Sequence, residues 1–222
     1  MPAGQALTIT VGETTGTVSA LLILPERARA LCVLAHGAGA GMRHPFLESI
    51  AAALAERSIG TLRYHFPYME RQQRRTDPPA VAEAAVRAAV RAAGEAAPGL
   101  PLVAGGKSFG GRMTSGAAAR APLPGVRGLV FLGFPLHPPG RPGIERAAHL
   151  DTVPHPMLFL QGTRDEFARL DLLRPVVGRL GARATLELVD GGDHSFKVRG
   201  RPPGEVVAEL ARAIAGWVDG VL

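Results

Sequence analysis

Leu102-Val103-Ala104-Gly105-Gly106-Lys107-Ser108-Phe109-Gly110-Gly111-Arg112-Met113 is the stretch that decides the fold of this chain. Leu102 to Ala104 read as the end of a buried strand, Gly105 and Gly106 turn the backbone sharply, and Gly110 to Met113 open a helix of small residues. Ser108 therefore stands at a strand-to-helix elbow. Residues 106–110 spell G-x-S-x-G, whose glycines remove side chains that would collide where the strained turn pushes the hydroxyl outward. The same turn aims the Phe109 amide at that space. In a sequence this rich in glycine the five letters arise by chance in about one chain in ten, so the flanking segments must decide.

Outward from the elbow, strand and helix alternate. Residues 6–11 (ALTITV) and 17–24 (TVSALLIL) are separated by Gly12 and Gly16 and predict an antiparallel hairpin. Ala30 to Ala35 is a continuous apolar run, as in a strand buried on both faces, and leads into His36-Gly37-Ala38-Gly39-Ala40-Gly41. Helical spacing follows over 46–57, a strand over 59–66, and a polar, arginine-rich loop over 67–79. The alanine-rich run 80–97 predicts a helix with Val81, Val86 and Val90 inward and Glu83, Arg87 and Arg91 on an exposed face. Beyond the elbow come strands over 126–134, 157–161 and 184–189, and helices over 166–180 and 204–218. The proline-rich stretch 135–155 has room for one short helix, over 144–150.

This alternation predicts an α/β fold: a mostly parallel central sheet with helices on both faces, entered through the N-terminal hairpin, with no sizeable cap domain. Ligands in such sheets bind beyond the carboxyl ends of the strands, so the residues just after each strand carry the chemistry. Ser108 is one. Asp165, in Gln161-Gly162-Thr163-Arg164-Asp165-Glu166, and His194, in Gly191-Gly192-Asp193-His194-Ser195-Phe196, are the others. A serine needs a base to take its proton and a carboxylate to orient that base, and the order Ser, Asp, His is that of the α/β-hydrolase arrangement. Asp165 can also serve as a helix cap, Glu166 is a substitute acid, and Asp193 competes for the histidine. An oxyanion hole needs two amides; Phe109 supplies one by position, and Ala38, or else Gly37, is placed to supply the other. His36 reads as a structural hydrogen-bonding residue.

The hydrophobic share of 46% over 222 residues fits a single domain spanning 1–222. No apolar run approaches the roughly 20 residues of a membrane span, and no leader-like N-terminus is visible, which predicts a cytoplasmic protein. Cys32 is the lone cysteine and lies in the apolar run 30–35. The net charge of +6 comes from arginines scattered along the chain, and only Arg71, Arg74 and Arg75 cluster, without interleaved aromatics, so nucleic acid is not an expected partner. No metal-ligand spacing occurs, and neither metal nor cofactor is expected.

The HGAGAG loop, the GGKSFGGRM elbow, FPLHPPGRPG, LFLQGTRDEF and GGDHSF together resemble the dienelactone-hydrolase-like α/β-hydrolases. The resemblance extends to a subgroup of small proteins that includes a testis-expressed hydrolase-like protein and a histone acetyltransferase complex subunit. It runs from about Ala30 to the C-terminus and implies a single α/β-hydrolase domain with a Ser108, Asp165, His194 triad acting on small carboxylic esters or related acyl compounds. Dienelactone hydrolases proper carry cysteine where this chain has Ser108, so dienelactone itself is not implied. Lys107 reads as a buried ion pair bracing the elbow. Its other reading is recognition of an acidic substrate, together with Arg112, the arginines of 71–75 and His137. Two further readings are a hydrolase fold kept as a binding module for a protein partner or second copy, and acyl transfer to an acceptor other than water.

Overall fold

Side chains alternate across a strand, so the six apolar residues Ala30–Ala35 divide their burial between two faces. Leu31, Val33 and Ala35 enter one apolar core, and Ala30, Cys32 and Leu34 enter the other. In the computed structural model, which describes residues 4–222, this segment is β3, near the middle of an eight-stranded sheet. The other strands are β1 (Gln5–Gly12), β2 (Gly16–Ile23), β4 (Ile59–Tyr64), β5 (Leu102–Lys107), β6 (Val126–Leu132), β7 (Met157–Gly162) and β8 (Ala184–Val189). Their spatial order is β1-β2-β4-β3-β5-β6-β7-β8; β1 and β2 pair antiparallel, as do β2 and β4, and all later pairs are parallel. The expected hairpin and parallel sheet are both present.

Helices α1 (Pro45–Ala55) and α6 (Pro203–Val221) cover one face, burying Ile50, Leu54, Leu210 and Ile214 against β3, β6 and β7. Helices α3 (Pro79–Ala96), α4 (Phe109–Arg120) and α5 (Leu170–Leu180) cover the other, and the short α2 (Pro67–Glu70) joins β4 to α3. The proline-rich stretch carries a 3-10 run, Glu145–Thr152, whose Ala147 and Leu150 pack into the same core as α4 and α5. It lies on the body of the fold.

Tertiary contacts move three expectations. Glu83, expected on an exposed face, is 6% exposed: it packs against Gly116 of α4 and pairs with Arg120. A helix sandwiched between the sheet and another helix has two hidden sides. Residues 67–70 are helical, because Tyr68 is buried and its amide donates to Asp77 Oδ2 at 2.9 Å. The helix expected from Glu166 begins only at Leu170, since Asp165 Oδ1 holds the Phe167 amide and His137 Nε2 holds the Arg169 amide.

Close backbone approach positions the elbow. A Cβ at Gly105 would collide with the Val130 carbonyl of β6, and one at Gly106 with the Ala35 carbonyl of β3. Both glycines let β5 end in contact with its two neighbours. Ser108 is thereby fixed at the carboxyl edge of the sheet.

Candidate active site

Ser108 has φ 50° and ψ −113°, a backbone conformation that costs a residue with a Cβ about 1–3 kcal/mol and that the surrounding fold must hold in place. Its amide donates to Leu132 O at 3.2 Å, and α4 starts at the next residue. This is the sharp elbow read from the glycine pattern.

Three strand ends converge there. Ser108 Oγ and His194 Nε2 are 2.8 Å apart, and His194 Nδ1 lies 2.7 Å from Asp165 Oδ2. A carboxylate only accepts, so Nδ1 carries the ring proton and Nε2 is left to accept the serine hydroxyl. Asp165, 4% exposed, is fixed in turn: Oδ1 accepts from the Phe167 amide at 2.7 Å, and Oδ2 accepts from Gln161 Nε2. Gln161 Oε1 takes the Phe134 amide at 2.9 Å. Gln161 was visible only as the last residue of an apolar strand; a buried amide there had to find partners, and that was the available signal.

The competing acids have other places. Asp193 Oδ1 accepts the Ser195 and Lys197 amides, each at 2.8 Å, and so closes its own loop; Glu166 is exposed. The loops carrying Asp165 and His194 are laced together by Arg164 N to Gly192 O at 2.8 Å and Gly191 N to Thr163 Oγ1 at 2.8 Å. Phe167 lies over the His194 ring with centroids 4.2 Å apart.

Lys107 forms a hydrogen-bonded brace where an ion pair was expected. Its ammonium donates to the main-chain oxygen of His194 at 2.6 Å and lies 5.5 Å from the centre of the Phe196 ring. Burial lowers its pKa to about 8, opposed by the charges of Asp165 and Asp193. A Cβ at Gly133, which has φ 72°, would lie 3.0 Å from the ammonium and 3.5 Å from both Asp165 Oδ2 and His194 Cε1. The lysine, the carboxylate and the imidazole thus all pack around one glycine.

The amide of Phe109 opens α4, and that of Ala38 lies in the loop after β3. Among the described residues neither donates to a protein acceptor, nor does the amide of Gly37. The loop's shape is set by two residues. Tyr68 Oη accepts the Gly39 amide at 2.9 Å, and His36 donates from Nδ1 to Gly37 O at 2.7 Å while its Nε2 accepts the Phe66 amide at 3.1 Å. Tyr68 gave no sign in the sequence beyond its place just after a strand.

That double use requires a neutral His36, and burial lowers its pKa to about 4. The unfolded chain binds this proton near the usual 6.5, whereas the folded chain refuses it until about 4, so stability is complete above 6.5 and is lost as pH falls through that window. The loss is expected to reach about 3 kcal/mol. Urea denaturation at pH 7 and pH 4.5 checks it: His36→Gln should flatten the pH slope of stability, whatever it does to stability itself.

The remaining candidates lie elsewhere. Arg112 lines a separate cavity of about 330 Å³ between α3, α4 and the 3-10 run, with Glu83, Arg120 and His149. There Ser115 Oγ donates to Arg112 O at 3.0 Å and meets His149 Nε2 at 2.7 Å. Ser115 has no exposed surface, so this second serine–histidine contact is a packing bond. His137 is 2% exposed and uses both ring nitrogens on the main chain, at Pro138 O and the Arg169 amide. Arg71 pairs with Asp77. Among the described residues no group of three or more His, Cys, Asp or Glu side chains is placed to hold a metal ion, and no helix is long and apolar enough to cross a membrane.

Ser108 and His194 face a cleft of about 290 Å³ whose walls include Ala38, Ala40, Phe46, Leu47 and Phe167.

The profile of the alpha/beta hydrolase domain matches residues 28–219. Among solved structures, the dienelactone hydrolase of Anabaena variabilis superposes with a TM-score of 0.78 at 20% identity, covering 100% of this chain and 99% of that one. XC6422 of Xanthomonas campestris, described as an a/b serine hydrolase without a lid, superposes with a TM-score of 0.76 at 22% identity, covering 98% and 96%. An alpha-beta serine hydrolase homologue of Coxiella burnetii gives a TM-score of 0.77 at 20% identity, over 96% and 98%. These likenesses describe the fold. With the elbow, the sheet order and the profile match in agreement, the chain belongs to the alpha/beta hydrolase family.

Proposed function

We propose that this protein is a serine hydrolase of small carboxylic esters that works through an acyl-enzyme, as in the small-hydrolase subgroup its motifs resemble. The observation that carries the proposal is the unbroken series Ser108 Oγ, His194, Asp165, at 2.8 and 2.7 Å. His194 Nε2 takes the hydroxyl proton as Ser108 attacks the acyl carbon, and Asp165 stabilises the imidazolium that forms. Charge developing on the carbonyl oxygen meets the Ala38 and Phe109 amides, each worth about 3 kcal/mol to the transition state. The tetrahedral species collapses as His194 returns the proton to the leaving alcohol. Water, activated by the same imidazole, then releases the acid.

Treatment with a fluorophosphonate probe, followed by peptide mapping, tests this reading. The expected adduct is on Ser108, and a protein that stays unmodified there is not a serine hydrolase.

Lys107 acts in this scheme as a positioning residue, since it holds the main chain of the residue that must move a proton. A displacement of about 1 Å at a reacting group can cost 10²-fold in rate, so Lys107→Met is expected to lower kcat by about 10 to 100-fold. KM should change less than kcat, because Lys107 lines the cleft but turns its ammonium to His194 O. Lys107→Arg, which restores a donor, should recover part of the loss. Steady-state kinetics on one ester separates these outcomes, and an equal fall in kcat for Met and Arg would reject the role.

A further inference from the structure

We infer that the substrate is an uncharged ester with a short acyl group and an elongated apolar alcohol; this rests on the ester-hydrolase reading above. Charge comes first. Lys107, which lines the cleft, donates to His194 O, and neither Arg112 nor Arg71 lines it. His44, at the cleft's edge, accepts the Phe46 amide on Nδ1 at 3.3 Å. A carboxylate on the acyl side would lose its water here and find no guanidinium in exchange, with the Lys107 ammonium already turned to a carbonyl, which is costly.

Shape comes second. A groove of about 630 Å³ adjoins the cleft, and His44, Phe46 and Ser195 line both. Phe46 is stacked on Phe196 at 5.7 Å and 8°, which makes the divide between the two a fixed saddle. Beyond it the groove runs between α1 and α6 over Pro45, Val198, Pro203, Val206 and Val207. Of its two cationic side chains, Arg201 is paired with Glu209 at 2.6 Å and Lys197 is solvent-exposed. The groove continues the cleft, and its walls are mostly apolar.

Direction comes third. The leaving oxygen must come within reach of His194 Nε2 to receive its proton, and the groove leaves the cleft past Ser195, the next residue. The arm that follows it is therefore the alcohol. The acyl group stays by Ala38, Ala40 and Leu47, within the 290 Å³ cleft.

The experiment measures kcat/KM of the purified protein on ethyl and octyl acetate, on ethyl butyrate and ethyl octanoate, and on monoethyl succinate, beside fluorophosphonate labelling. A buried methylene is worth about fourfold, so half-burying the six extra methylenes of octyl acetate should raise kcat/KM at least about tenfold over ethyl acetate. Lengthening the acyl group to octanoate should lower it, and monoethyl succinate should be at least about tenfold poorer than ethyl butyrate. Val207→Asp should bring the octyl-to-ethyl ratio toward one; if that variant does not fold, the series on the unaltered protein decides alone. Labelling at Ser108 with a flat alcohol series, or with the succinate preferred, overturns this inference and leaves the hydrolase reading intact. Absence of labelling removes both.

Discussion

Ser108→Ala is expected to reduce ester turnover by about a millionfold in kcat, to the level left by the oxyanion amides and substrate binding. The side chain's one hydrogen bond is to His194, so its loss removes the nucleophile and little else. Asp165→Asn should cost about ten-thousandfold, because an amide that donates toward Nδ1 forces the ring into the tautomer that cannot accept the serine proton. The two losses should not add, since the residues act as one unit. Stability should move the other way at the elbow. At φ 50° and ψ −113° a Cβ is strained, so Ser108→Gly is expected to gain about 1 kcal/mol while being equally inactive. Turnover assays with urea denaturation of the same variants check both halves; a Ser108→Ala protein with turnover within tenfold of the original would reject the mechanism.

Gly105→Ala is expected to be the most damaging glycine-to-alanine change among the described residues. Its Cβ would be driven into the Val130 carbonyl. β5 is hydrogen-bonded to β3 on one side and β6 on the other, so it cannot withdraw without breaking a ladder. A loss of about 3 kcal/mol or more is expected, a large part of the 5–15 kcal/mol that holds a domain together. The contrast is Gly216→Ala in α6, where a Cβ meets nothing within 4 Å and helix propensity favours alanine by about 1 kcal/mol. Denaturation midpoints of the two variants should therefore move in opposite directions. A Gly105→Ala variant as stable as the parent would mean that the sheet gives way there.

Much of the site was legible because its signals are local. A glycine-rich elbow, an aspartate just past one apolar strand and a histidine just past the next are each patterns within about ten residues. The parallel alternation then says that all such ends lie at one edge. What escaped notice were residues whose roles depend on a distant partner. Gln161 looked like the end of a strand and holds Asp165; Tyr68 looked like part of a polar loop and holds the Gly39 amide. Glu83 looked solvated and is hidden, because the helix beside it supplies a wall and a counter-charge. The start of α5 moved to Leu170 because side chains of Asp165 and His137 capture the amides that a longer helix would have used.

By itself, the sequence determined the strands and their two buried faces, the elbow at Ser108, and the three chain positions that lie beyond strand ends. Periodicity and turn chemistry act over a few residues, and any fold that satisfies them must place those positions together. Only the tertiary structure decided where the charges went. Lys107 reaches a carbonyl 87 residues away, Arg112 opens on another cavity, and Phe46 divides the cleft from a groove that α6 completes. Such choices turn on which loops approach within a few ångströms, and that is set by strand order and steric fit, which no local pattern encodes.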